Sequence, residues 1–94
     1  MAVKIKTSIP GPKSLSLAQR RSSSVAKGHG TVCNVYIEKA EGSLLEDVDG
    51  NIFIDFAGGI GTMNVGHSHP EILKRIKSQL DKYSHTCFSV APYE

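Results

Sequence analysis

Tryptophan is absent from this chain of 94 residues, and three Tyr and three Phe are its only other aromatic side chains outside histidine. So few large rings limit how much apolar area a core can bury. Charge of one sign is also lacking. Lys and Arg number 11 against 9 Asp and Glu, a formal balance of +2. The basic residues Lys4, Lys6, Lys13, Arg20, Arg21 and Lys27 are spread thinly, without interleaved aromatics. That pattern points to a solvated face and no nucleic-acid partner. Cys33 and Cys87 are the only cysteines, which excludes a disulfide scaffold and makes reduced thiols in a cytoplasm the expectation. No apolar stretch reaches membrane-spanning length, and no apolar h-region follows Met1. Internal repeats are missing, and Ser22 to Ser24 is the one low-complexity patch. The length allows one small domain at most.

What is present is organised around Asp47 to Pro70, D-V-D-G-N-I-F-I-D-F-A-G-G-I-G-T-M-N-V-G-H-S-H-P. Asp49-Gly50 marks a tight turn, a strong hairpin signal between apolar runs. Ile52 to Phe56 is a short strand. Gly58, Gly59, Gly61 and Gly66 then make a loop in which backbone passes close to something, whether a strand, a partner subunit or a ligand.

Before this stretch, Met1 to Lys13 carries Pro10, Gly11 and Pro12 and no helical period, so an extended flexible arm is expected over 1–13. Such an arm is either disordered or packed on a dimer partner. Ser14 to Ala26 has helical character, with Ser14 or Ser16 as cap and Gly28 as the stop. Val32 to Lys39 is rich in strand formers, and Ser43 to Asp47 is a second short strand. Together with Ile52 to Phe56 they predict a three-stranded antiparallel meander, steadied by a helix on one face.

Pro70 to Tyr83 is the clearest helix. Pro70 suits the first helical position, and Glu71 lies near the positive end of the dipole. Ile72, Leu73, Ile76, Leu80 and Tyr83 share one side, with Lys74, Arg75, Lys77, Asp81 and Lys82 opposite. Ser84 to Val90 fits a loop or a strand.

Several constellations invite a chemical reading. Asp47-x-Asp49-Gly50-Asn51 lacks EF-hand spacing and reads as a turn. His67-x-His69, with His85 or a cysteine as third ligand, defines a small metal-binding domain as one alternative; helix entry for His69 and a hydrogen bond within the glycine loop for His67 are the simpler roles. The glycines do not form a dinucleotide fingerprint or a P-loop, and no G-x-S-x-G elbow exists. Cys87 beside His85 is not a catalytic pair on adjacency alone. No residue of this chain is assigned a catalytic role, and no metal site is assigned.

The central stretch resembles the N-terminal signature of class III, pyridoxal-phosphate-dependent aminotransferases. Ile9-Pro10-Gly11-Pro12-Lys13-Ser14, Gln19-Arg20-Arg21, His85-Thr86-Cys87-Phe88 and Pro92-Tyr93-Glu94 extend the likeness towards the members that act on 4-aminobutyrate. The resemblance implies an α+β fragment: residues 14–94 as the N-terminal part of the small domain of a fold-type I aminotransferase, truncated before the cofactor-binding domain. It implies that Ile60 and Ser89 face the substrate, although Ser89 stands where relatives often carry a larger polar or aromatic residue. Gly58, Gly59, Gly61 and Phe88 are implied as a pocket or dimer-interface loop. The implied activity is transfer of the amino group of 4-aminobutyrate, or a similar omega-amino acid, to 2-oxoglutarate. Pyridoxal phosphate would serve as cofactor in the full-length parent, bound mostly outside this chain, and the parent would be a dimer-based homo-oligomer. The fragment itself is expected to be inactive. A non-catalytic interaction or dimerisation module is the other alternative.

Overall fold

A computed structural model describes all residues, Met1–Glu94. Six elements follow one another: α1 (Pro12–Ser24), β1 (Ile37–Glu41), β2 (Leu44–Asp47), β3 (Ile52–Ile54), the single turn α2 (Gly58–Gly61) and α3 (Pro70–Leu80). The strands form one antiparallel sheet in the order β1-β2-β3, so the meander expected from the sequence is present.

Each strand is shorter than its run of strand-forming residues. β1 begins at Ile37, and the preceding Val32 to Tyr36 lies outside the ladder. β2 has only four residues, with Ile37 opposite Asp47 and Glu41 opposite Leu44. A strand needs a partner for its backbone groups, and one last bond, from the Val48 amide to the Tyr36 carbonyl (2.9 Å), ends the pairing. β3 stops at Ile54 because Asp55 turns the chain: its Oδ1 accepts the amides of Ala57 (3.0 Å) and Gly58 (2.9 Å). Ser84 to Val90 forms no strand and closes in a turn, with the Val90 amide on the Cys87 carbonyl.

α1 starts two residues before the expected Ser14, and neither Ser14 nor Ser16 caps it. Gly11 is the N-cap, with Pro12 at the first helical position. Asp49 supplies the missing acceptors from the hairpin, taking the amides of Lys13 (2.8 Å) on Oδ1 and Ser14 (2.9 Å) on Oδ2. A Cβ at residue 11 would collide with that carboxylate, so glycine permits the approach. The Ser14 hydroxyl instead accepts the Tyr36 amide at 3.2 Å. The serine run ends inside the helix because Ser22 and Ser23 bond back to the carbonyls of Gln19 and Arg20. Val25 is the C-cap, so Gly28 does not terminate the helix.

α3 ends at Leu80, three residues short of Tyr83. Its apolar stripe does not steady the sheet. Ile72, Leu73, Ile76 and Leu80 are all exposed, and the first three share an open groove with Met63 and Val65 of the preceding loop. No hydrophobic side chain is fully buried anywhere in the chain. The buried residues are Gly11, Ser14, Asp47 and Asn51. What holds the described fold is therefore a polar knot at the β2–β3 hairpin.

Candidate functional site

Asp47 opens that knot. Its Oδ1 accepts the amides of Asp49 (2.9 Å) and Asn51 (2.8 Å), and its Oδ2 accepts the Asn51 side-chain amide (2.8 Å). Asn51 then reaches the N-terminal segment. Its Oδ1 accepts the amides of Lys6 (2.7 Å) and Thr7 (3.0 Å), and its Nδ2 also donates to Thr7 Oγ1 (2.9 Å). Beside it, Lys4 and Ile52 exchange two backbone bonds (3.1 and 2.7 Å). The segment expected as an arm thus lies along β3. D-V-D-G-N is a turn, as its spacing indicated, and each of its three polar side chains ties down a different piece of chain.

The next turn presents the glycines. Gly58, Gly59, Ile60 and Gly61 have φ of +53°, +60°, +58° and +72°, so α2 winds left-handed. An L-residue in that region places its Cβ against the following carbonyl, which three glycines avoid and Ile60 does not. The Thr62 and Met63 amides close the turn on the Gly58 carbonyl at 2.9 and 3.0 Å. Ile60 projects outward and is 92% exposed.

Behind the turn, Asp55 Oδ2 accepts a hydrogen bond from His67 Nε2 at 2.6 Å. An ionised carboxylate as partner sets the proton on that ring nitrogen. The hydrogen bond from His67, reinforced by the Gly58 amide, holds the Asp55 carboxyl below its ordinary range. His67 is itself pinned, exchanging backbone bonds with Gly42 at 3.0 and 2.8 Å. Gly66 allows this crossing, since a Cβ there would sit 3.0 Å from Gly42 Cα. Gly42, Ser43, Asp55, Gly58, Met63, Gly66 and His67 line a small, half-open pocket of about 180 Å³. His67 therefore does make a side-chain hydrogen bond, but to Asp55 just after β3 and not to a residue of the glycine loop. Asp55 was not singled out in the sequence, although an aspartate between a strand and a glycine run is itself a turn signal.

His69 is the N-cap of α3 through its backbone, and its side chain makes no capping bond. No group of three His, Cys, Asp or Glu side chains comes together as a ligand set. Cys33 and Cys87 are free and exposed. Towards the C-terminus, Tyr93 is edge-on to both Tyr83 (5.5 Å) and Phe88 (5.4 Å). Neither Ile60, Phe88 nor Ser89 lines any of the five principal concavities. Within this chain they are exposed side chains on two separate loops. Every lysine is exposed, so none has the desolvated setting that favours an imine-forming amine.

The family model for class-III aminotransferases matches residues 24–94. The chain is 41% identical to the 4-aminobutyrate aminotransferase of Mycobacterium bovis over 97% of its length, covering 20% of that protein. It is 44% identical to its Escherichia coli counterpart over 83% of the chain and 18% of the relative. With the 5-aminovalerate aminotransferase of Pseudomonas aeruginosa it shares 48% over 84% of the chain, again 18% of the relative. Among solved structures, the acetylornithine aminotransferase from Elizabethkingia anophelis superposes with a TM-score of 0.71 and 27% identity, across 78% of this chain and 19% of that one. The chain thus spans about a fifth of the length of the curated relatives it matches.

Proposed function

The chain belongs to the class-III aminotransferase family, and we propose that it forms the amino-donor side of the active site in a longer enzyme. That enzyme would move the amino group of 4-aminobutyrate, or of a similar omega-amino acid, to 2-oxoglutarate. The observation that carries the proposal is the 41% identity to a 4-aminobutyrate aminotransferase along nearly the whole chain. The 48% identity to a 5-aminovalerate enzyme widens the donor to omega-amino acids of four or five carbons.

Residues 14–94 would be the N-terminal part of the small domain. Ile60 would contribute apolar wall where the donor's methylene chain lies, and Ser89 a small side chain beside it. Gly58, Gly59, Gly61 and Phe88 would form the loop that meets the rest of the pocket or a second subunit of a homodimer. The family depends on pyridoxal phosphate, but this chain's residues do not fit the cofactor by themselves: its lysines are all exposed. The chain supplies shape and apolar contact, and the Schiff-base chemistry would belong to residues beyond it.

The test compares two proteins. The purified 94-residue chain with pyridoxal phosphate should yield no stoichiometric, borohydride-trappable adduct and no glutamate from 4-aminobutyrate and 2-oxoglutarate. The same chain continued into a cofactor domain should yield both. An adduct at one lysine of the short chain, with turnover, would overturn the proposal.

A second reading, a non-catalytic module that docks on an intact aminotransferase subunit, is favoured by one observation: no apolar side chain is fully buried. Co-elution of the chain with such a subunit, without any gain of activity, would support it.

A further inference from the structure

The left-handed turn needs something to select its hand. Three of its four residues are glycines, which adopt positive and negative φ about equally. The fourth, Ile60, is β-branched and disfavours φ of +58°. Local preference therefore does not hold this winding, and an observed outlier of this kind asks what imposes it.

The neighbours that act on it converge on one carboxylate. Asp55 Oδ1 takes the amides of Ala57 and Gly58, which fixes the entry to the turn. Asp55 Oδ2 takes the Nε2 proton of His67, twelve residues on, which fixes the exit. His67 is in turn anchored to Gly42 of the β1–β2 hairpin by two backbone bonds. The Asp55 side chain is 8% exposed and that of His67 19%, so water competes little for the pair. A single side-chain contact closes the loop that carries Ile60 and joins it to the sheet.

We propose that the Asp55–His67 pair is a positioning clasp that holds the left-handed turn, and through it the place of Ile60, so that it sets the length of amino donor accepted. The proposal rests on the reading that Ile60 faces the donor. Neither Asp55 nor His67 touches substrate in it; both act through the turn.

The experiment uses the longer, cofactor-loaded enzyme that carries this segment. The quantity measured is the ratio of kcat/KM for 4-aminobutyrate to that for 5-aminovalerate, donors one methylene apart. Ile60→Ala should shift that ratio by about tenfold, the scale of one methylene in an apolar pocket. Asp55→Ala and His67→Ala should shift it in the same direction by a similar factor. Adding Asp55→Ala to Ile60→Ala should shift it no further. Asp55→Asn keeps an oxygen for the two amides and turns its NH2 towards His67, where it can donate to Nε2 once the neutral ring carries its proton on Nδ1, so it should stay near the parent ratio. A merely structural role would lower both donors by one factor and leave the ratio alone, and that result would overturn the clasp. If Asp55→Ala does not accumulate as folded enzyme, His67→Ala decides. Should Ile60→Ala move the ratio while Asp55→Ala and His67→Ala do not, the clasp fails and the reading of Ile60 stands. An unmoved ratio in Ile60→Ala removes both.

Discussion

Asn51 is fully buried and has every side-chain polar atom engaged. Removing it would strand the Lys6 and Thr7 amides and one Asp47 oxygen. Asn51→Ala should therefore destabilise by on the order of 3 kcal/mol, with faster amide exchange at Lys6 and Thr7 as the local signature. Asp49 links the same turn to α1. Partial burial raises its pKa, but the Ser14 and Lys13 amides, the Ser14 hydroxyl and the Lys13 charge outweigh that and leave it below 3.8. Asp55 is lowered too, chiefly by His67 and then by Gly58. A carboxylate whose folded pKa is depressed binds its proton more readily in the unfolded chain. Its contribution is complete above the ordinary value of 3.8 and fades as pH falls through the lower folded value. The Lys13 and Ser14 amide resonances should accordingly titrate with a midpoint below 3.8; a midpoint above it would contradict the cap. For Ile60, replacement by glutamine in the longer enzyme should impair amino-donor turnover more than cofactor binding, by about tenfold. Loss of cofactor with normal donor kinetics would count against its assignment.

Among the elements, α2 offers a controlled comparison. Gly61 and Gly28 both have open space where a Cβ would stand, but only Gly61 has positive φ, +72°. Gly61→Ala should destabilise by about 1–2 kcal/mol. Gly28→Ala should be neutral or stabilise by up to about 1 kcal/mol. Equal effects in denaturant melts of the two variants would show that backbone hand is not what glycine supplies here. α3 carries a different lesson. Its apolar side is exposed, with Ile76 at 49% and Leu80 at 61%. An amphipathic helix acquires most of its stability from the surface it packs against, and this one has only a short loop beneath it.

At the scale of the whole molecule, the radius of gyration is 17.2 Å, against about 12 Å for a compact domain of this length. Extents of 49 × 34 × 23 Å describe an open body. With a polar knot in place of an apolar core, the 94-residue chain alone should bind a hydrophobic dye such as ANS and melt over a broad range. A sharp calorimetric transition without dye binding would refute this. No helix is long and apolar enough to cross a membrane, so the exposed apolar stripe is not a spanning segment.

The sequence by itself determined the order of α1, the three strands and α3, because each of those signals was local. Asp49-Gly50 marked its hairpin, Pro70 and the period of Ile72, Leu73 and Ile76 marked α3, and the three strand runs gave the meander. It also carried the family, since the motif from Asp47 to Pro70 is contiguous. Only the tertiary structure decided the rest. The cap of α1 comes from Asp49, thirty-five and thirty-six residues from the amides it accepts, and no local rule reaches that far. β1 begins at Ile37 and not Val32 because β2 offers no more backbone to pair with. Glycine announced freedom of φ at residues 58, 59 and 61, but the left hand, the strain on Ile60 and the partnership of Asp55 with His67 needed the loop closed in space. Ile60 and Ser89 lie on separate loops within this chain, both exposed, a separation that only the folded backbone reveals.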